Sequence, residues 1–288
     1  AMSINVVMKT HWSRQIYCCR RLNKLLWTQM WILKSNVAAS IKSSQSLQVD
    51  KIYGESKDND ESGANEFLTI KLQPILEKYH PDSVFNADES GLYYKALPDK
   101  IYYQKGSKPS GWKAQKTRLT ILFITNALGT YKRAFVIGKS KNPRCFKNKN
   151  IPLTYFANKN SWMTVLIWNR VLEILDCDMG KLQKKIVLFI DNAACHKTIC
   201  DLQNIKIEFL PPNTTALIQP LDQGIIHCFK VNYRKIIVKK QICAIEMGKS
   251  VPEYVKSISI LNALFFIKRA WWLVQPQSIQ NCFKKVFI

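Results

Sequence analysis

Three aspartates stand where a carboxylate can do metal chemistry. Asp88 lies in Val84-Phe-Asn-Ala-Asp-Glu-Ser-Gly-Leu92. Asp191 ends the apolar run Ile186-Val-Leu-Phe-Ile190 and precedes Asn192-Ala-Ala-Cys-His196. Asp222 follows Phe209-Leu-Pro-Pro-Asn-Thr-Thr-Ala-Leu-Ile-Gln-Pro220. In two-metal phosphoryl transfer, carboxylates hold two Mg²⁺ or Mn²⁺ ions roughly 3.5–4 Å apart, which stabilise the attacking and leaving oxygens. Hard cations take oxygen ligands, so Asp suits such a centre better than Cys or His. Three clustered carboxylates resist joint ionisation until cations offset the repulsion. Each aspartate alone also has a plainer role. Asp191 suits a helix N-cap, Asp222 a helix dipole, and Asp88 a turn before Gly91.

The charge of the chain favours a polyanionic partner for that chemistry. Forty-three Lys and Arg face twenty Asp and Glu over 288 residues, a net charge of +23. Such an excess repels itself unless a polyanion or counterions lie near, which makes nucleic acid the leading partner. Two basic stretches are candidate phosphate-tracking loops: Lys105, Lys108, Lys113, Lys116 and Arg118 around Trp112, and Lys139, Lys141, Arg144 and Lys147. Trp112 is a candidate for stacking on a base. His196 can touch a phosphate, orient Asp191, or make a structural hydrogen bond. Glu89 adjoins Asp88, but strand neighbours face opposite sides, so it should point away.

The nine cysteines include no CxxC pair, so a structural zinc site has no support and a reduced compartment fits. Ala263-Leu-Phe-Phe-Ile267 is stopped by Lys268-Arg269, too short and too charged to cross a bilayer.

The elements that must position the aspartates are legible as periodic patterns. A polar stretch from Gly54 to Asn65 reads as a linker, and Glu66–Tyr79 as a helix that Pro74 kinks or splits. Leu119–Ile124 and Ala134–Ile137 read as strands of an antiparallel hairpin. Ser161–Cys177 reads as a helix with Trp162, Val165, Leu166, Leu172 and Leu175 on one face. Ile186–Ile190 fits a central strand buried on both faces, Ile205–Leu210 a further strand, and Pro220–Lys235 a helix. Strands first, then helix–strand–helix–strand–helix, is a mixed α/β order. Trp271-Trp272 falls in an apolar helical pattern suited to core or partner packing.

The three acidic blocks, taken as wording, resemble the catalytic blocks of the pogo/Tigger branch of Tc1/mariner transposases. The host relatives of that branch include jerky-type and centromere-protein-B-like proteins. Gly138-Lys-Ser-Lys-Asn-Pro-Arg-Cys-Phe-Lys-Asn148 and Asn160-Ser-Trp-Met-Thr164 resemble further segments of it. Thirty residues separate Asp191 from Asp222, as that branch leads one to expect. The resemblance implies a ribonuclease-H-like mixed sheet flanked by helices, with Asp88, Asp191 and Asp222 as a Mg²⁺ or Mn²⁺ site. It implies DNA as partner and the nucleus as location, and allows a homodimer. On this reading residues 1–53 are a basic segment, 54–240 the endonuclease-like core, and 241–288 a helical C-terminal extension.

Departures set the functional expectation. The family carries helix-turn-helix domains before this core, and residues 1–49, which lack any Asp or Glu, do not resemble them. Ala194-Cys195 replaces the small residues or Pro usual in the second block. The expectation is a transposon-derived DNA-binding protein, a truncated or immobile relative of a transposase. An active metal-dependent endonuclease and strand transferase is the alternative, and a protein-interaction module is a third reading.

Overall fold

The apolar runs assemble into one six-stranded mixed sheet, ordered β4-β3-β2-β1-β5-β6. The computed structural model describes residues 60–96 and 117–287. The expected basic segment 1–53 and the candidates Lys105, Lys108, Trp112, Lys113 and Lys116 lie outside the described residues.

Strands β1 (Val84–Tyr93), β2 (Arg118–Asn126) and β3 (Lys132–Gly138) form an antiparallel meander, so the expected hairpin is present. A short edge strand, β4 (Thr154–Ala157), pairs parallel to β3 and has no counterpart in the sequence reading. The chain then crosses the sheet through helix α2 (Val165–Lys181) to β5 (Ile186–Ile190), which lies parallel to β1, and on to β6 (Ile205–Phe209). An antiparallel meander extended by helix-connected parallel strands is the ribonuclease-H-like arrangement anticipated above.

Both sheet faces are covered. On one, α2 buries Trp168, Val171, Leu172, Leu175 and Met179 against Phe85, Leu122 and Leu188. On the other lie α1 (a continuous helical run from Glu61 to Lys78), α3 (Ile226–Glu246), α5 (Ile260–Trp272) and α6 (Pro276–Phe287), with α4 (Val251–Ser257) joining α3 to α5. Phe123 meets Phe229 of α3 and Trp271 of α5 at ring distances of 4.7 and 4.8 Å, and Phe189 meets Phe287 of α6 at 5.0 Å. The helices beyond residue 240 therefore share the core of the strands. Being covered on both faces is why β5 is apolar at every position.

Four helix expectations shift. Helix α1 begins at Glu61 behind the N-cap Asp60, inside the stretch expected to be a linker, rather than at Glu66. Pro74 does not split α1; a π-helical turn, Phe67–Leu72, precedes it and absorbs its missing N–H. Helix α2 starts at Val165 behind the N-cap Thr164, so Trp162 lies outside it, and Leu166 faces solvent. The helix expected from Pro220 opens as a π-helical turn, Leu221–Ile225, broken by Gly224 at φ 136° before α3 begins.

Candidate functional site

The site lies where two parallel strands part. β1 pairs with β5 only from Val84 to Asn86, and then runs on beside β2 to Tyr93. β5 ends at Ile190, so Asp191 leaves the sheet beside the forking stretch that carries Asp88. Asp222 comes from the turn that leads into α3.

Asn86 holds these three pieces together. It is fully buried at the fork. Its side-chain N–H donates to the Phe189 carbonyl at 2.9 Å, and its Oδ1 accepts the Leu221 N–H at 3.0 Å. One side chain thus ties β1 to β5 and to the residue preceding Asp222. Sequence reasoning passed over Asn86, although it sits two residues before Asp88 in the quoted block.

The carboxylates are electrostatically coupled. Burial, followed by the charges of Asp222 and Glu89, pushes the Asp88 carboxyl well above its ordinary value, against a hydrogen bond from Gln219. Asp88 and Asp222 also share a hydrogen bond, while burial raises Asp222 and the Lys230 ammonium draws it back. Asp222 is exposed at the mouth of the site and Asp88 is buried, so the larger upward push falls on Asp88. Lys230 is lowered by its own burial. Gln219 and Lys230 are further site residues that sequence reasoning missed.

Asp191 is turned towards His196 instead. The His196 Nδ1 lies 2.6 Å from Asp191 Oδ1, and its Nε2 lies 3.0 Å from Glu89 Oε1. The ring is 2% exposed and packs on Trp168, with centroids 4.6 Å apart. Burial opposes a charged ring, but the two carboxylates outweigh it and push the imidazole up to about 11. His196 is thus an internal cation facing Asp191 and Glu89 rather than solvent, at odds with the expected direct contact to phosphate. Glu89 lies on the opposite face of β1 from Asp88, as alternation requires, yet His196 draws it into the network.

Among the described residues, no three His, Cys, Asp or Glu side chains are gathered in a ready-made metal site. The donors nevertheless suit a hard cation. All three aspartates offer oxygen, and the Asp88–Asp222 pair shares a hydrogen bond that a divalent ion would replace. Asp191 Oδ1 is buried without an aligned hydrogen-bond donor; its contact with His196 is a close charge pair.

The second basic loop starts from Gly138, at the sheet end to which β1 runs on past Asp88. Lys139, Lys141, Arg144 and Lys147 are all exposed there. Lys141, Arg144 and Lys147 line a cleft with Phe146 and Tyr155. Tyr155 lies over Gly138, where any Cβ would collide with its hydroxyl, and that hydroxyl donates to the Ser140 carbonyl at 2.9 Å. Arg118, from the first basic stretch, opens β2 and lies across Gly91. No helix among the described residues is long and apolar enough to cross a membrane.

A mixed sheet of this order, with carboxylates at the fork of its parallel strands, defines the ribonuclease-H-like class of domain. Residues 116–283 match the DDE superfamily endonuclease family, and the chain belongs to it, in the transposase-derived pogo/Tigger branch. The chain is 32% identical to Tigger transposable element-derived protein 4 of Mus musculus, covering 74% of this chain and 41% of that protein. It is 30% identical to the major centromere autoantigen B of Homo sapiens, covering 73% of this chain and 34% of that protein. The chain spans less than half the length of these curated relatives. Among solved structures it is similar to the Mos1 transposase paired-end complex with left transposon end. That likeness has a TM-score of 0.43 at 12% identity, over 87% of this chain and 69% of that chain.

Proposed function

We propose that this chain is a nuclear, transposase-derived DNA-binding protein whose endonuclease-type domain presents Asp88, Asp191 and Asp222 to a DNA phosphate. The observation that carries the reading is the fork itself, where carboxylates from β1, from the end of β5 and from the turn before α3 are mutually coupled. Asp88, Asp191 and Asp222 would hold Mg²⁺ or Mn²⁺. Such ions supply Lewis-acid stabilisation of a phosphodiester's oxygens. The protein's own groups do the rest. Asn86 fixes the elements, Glu89 and His196 restrain Asp191, and Lys230 offsets the charge at Asp222. The loop carrying Lys139, Lys141, Arg144 and Lys147 would track the DNA backbone without reading sequence.

Retention of all three aspartates favours phosphodiester cleavage as a second reading. Incubation of supercoiled plasmid with the chain and Mn²⁺ tests it, with Asp191→Ala alongside. Nicking by the parent chain alone supports catalysis. Equal signals from both limit the protein to binding, and loss of plasmid retention at low salt removes the DNA reading as well.

A further inference from the structure

We infer that the groove between α3 and α5 docks an acidic amphipathic helix of another protein, on a surface separate from the proposed DNA site. The sequence sets two tryptophans side by side at the end of α5. A helix turns about 100° per residue, so they face different ways. Trp271 points inward, 2% exposed, and packs on Phe123. Trp272 points outward and is 70% exposed. Phe265, seven residues earlier and so on the same side of the helix, is 50% exposed.

A single exposed aromatic would carry nothing, since isolated apolar residues are common on surfaces. These two line one open groove of about 690 Å³, with Ile236 and Lys240 of α3 and Lys268 and Arg269 of α5. Phe265 and Trp272 stand two helical turns apart, or ~10.5 Å along α5. That spacing suits the i and i+7 anchors of a helix laid alongside. Trp272 is also held in place before anything binds. The Lys132 ammonium lies 5.1 Å from its ring centre and donates to the Trp272 and Val274 carbonyls at 3.1 and 2.9 Å. An anchor already fixed loses less freedom on binding.

Charge selects the occupant. Lys240 stands on one bank of the groove, Lys268 and Arg269 on the other, and no carboxylate among the described residues lines it. A second copy of this chain would bring a further charge of +23 and be repelled. Duplex DNA has the matching charge, but it presents phosphates rather than an apolar stripe to Ile236, Phe265 and Trp272. A helix with an apolar stripe flanked by Asp or Glu satisfies both the ring pair and the cations. Distance keeps the two surfaces apart. Ile226 opens α3 after the turn that carries Asp222, and Ile236 and Lys240 lie ten and fourteen residues further on, ~15 and ~21 Å along the axis.

The test titrates the full chain into three fluorescein-labelled peptides, read by anisotropy. One is a helix former with Leu at i, i+3, i+4 and i+7 and Glu elsewhere, one is a scramble of the same composition, and one carries Lys in place of Glu. The parent chain is expected to bind the ordered acidic peptide about tenfold more tightly than the scramble, and the lysine peptide more weakly still. Trp272→Ala should bring the ordered peptide down to the level of the scramble and leave duplex DNA affinity unchanged. Trp272→Phe, which keeps a ring, should retain most of the preference and shows that the end of α5 still folds. Equal binding of the ordered and scrambled acidic peptides reduces the effect to net charge and overturns the groove. Trp272→Ala binding the ordered peptide as the parent does overturns it too. A matching loss of DNA affinity in that variant would give the surface to DNA, and a dimer of the parent that the variant abolishes would give it to a second copy; either overturns the acidic helix. No binding of the ordered peptide by the parent overturns the inference, whether or not the chain binds DNA.

Discussion

Asp88 concentrates the electrostatic conflict of the site in one buried side chain. Burial and the facing carboxylates hold its carboxyl well above 3.8, the ordinary value. Above pH 3.8 and below the raised value, the folded protein keeps a proton that the unfolded chain releases. Stability therefore falls as pH rises through that window, and at neutral pH without a divalent ion Asp88 is a net cost. Asp88→Asn removes that cost, because an amide carries no charge and still accepts from Gln219. The expected result in chelator at neutral pH is a melting temperature a few degrees above the parent's, each kcal/mol being worth about 2–4 °C in a domain of this size. Added Mn²⁺ should raise the parent's melting temperature and leave the variant's nearly unchanged. A variant less stable than the parent in chelator would show that the carboxylate, not its neutral form, is what the fold favours.

At the scale of elements, the fork depends on one buried amide. Asn86 satisfies the Phe189 carbonyl and the Leu221 N–H, both main-chain groups of the elements that carry Asp191 and Asp222. Asn86→Ala leaves two buried polar groups without a partner, each costing about 1–3 kcal/mol. Urea unfolding should show a loss of about 2–6 kcal/mol. Mn²⁺ affinity should fall although every carboxylate remains, and a loss under about 0.5 kcal/mol would release Asn86 from that role. This clip also marks where reading the sequence stops. β2, β3, β5 and β6 were visible because their apolar runs are long or alternate, and Asp191 was visible because it ends such a run. Asn86 was not, since its partners lie 103 and 135 residues away and nothing local announces them. β4 was missed for a related reason: its four residues are only half-buried, and pairing with β3 makes them a strand. Trp162 fitted the helical period of the segment after it, but the Asn158 turn and the Thr164 cap start the helix three residues later. The bridge from Asp191 through His196 brings in Glu89, which period-two reasoning sets aside because it faces away from Asp88.

For the whole molecule, the proposed DNA-binding role asks the net charge of +23 for a phosphate-facing surface, and the loop after β3 is the described surface that offers one. It begins at the sheet end to which β1 runs on past Asp88, and Tyr155 pins its start by packing on Gly138 and bonding to Ser140. Its four basic side chains are exposed, so replacing Lys139, Lys141, Arg144 and Lys147 with Gln should leave the melting temperature within a degree or two. Binding should respond differently. Each phosphate contact releases counterions and adds about 0.9 to the slope of log affinity against log salt. The fourfold variant should therefore bind duplex DNA with a slope shallower by up to about 3.6, and weaken evenly across unrelated sequences because phosphate contacts carry no sequence information. The measurement is a salt titration of affinity by fluorescence anisotropy on two unrelated duplexes. An unchanged slope would move the DNA path off this loop. A weakening confined to one sequence would mean that the loop reads bases, contrary to a backbone-tracking role.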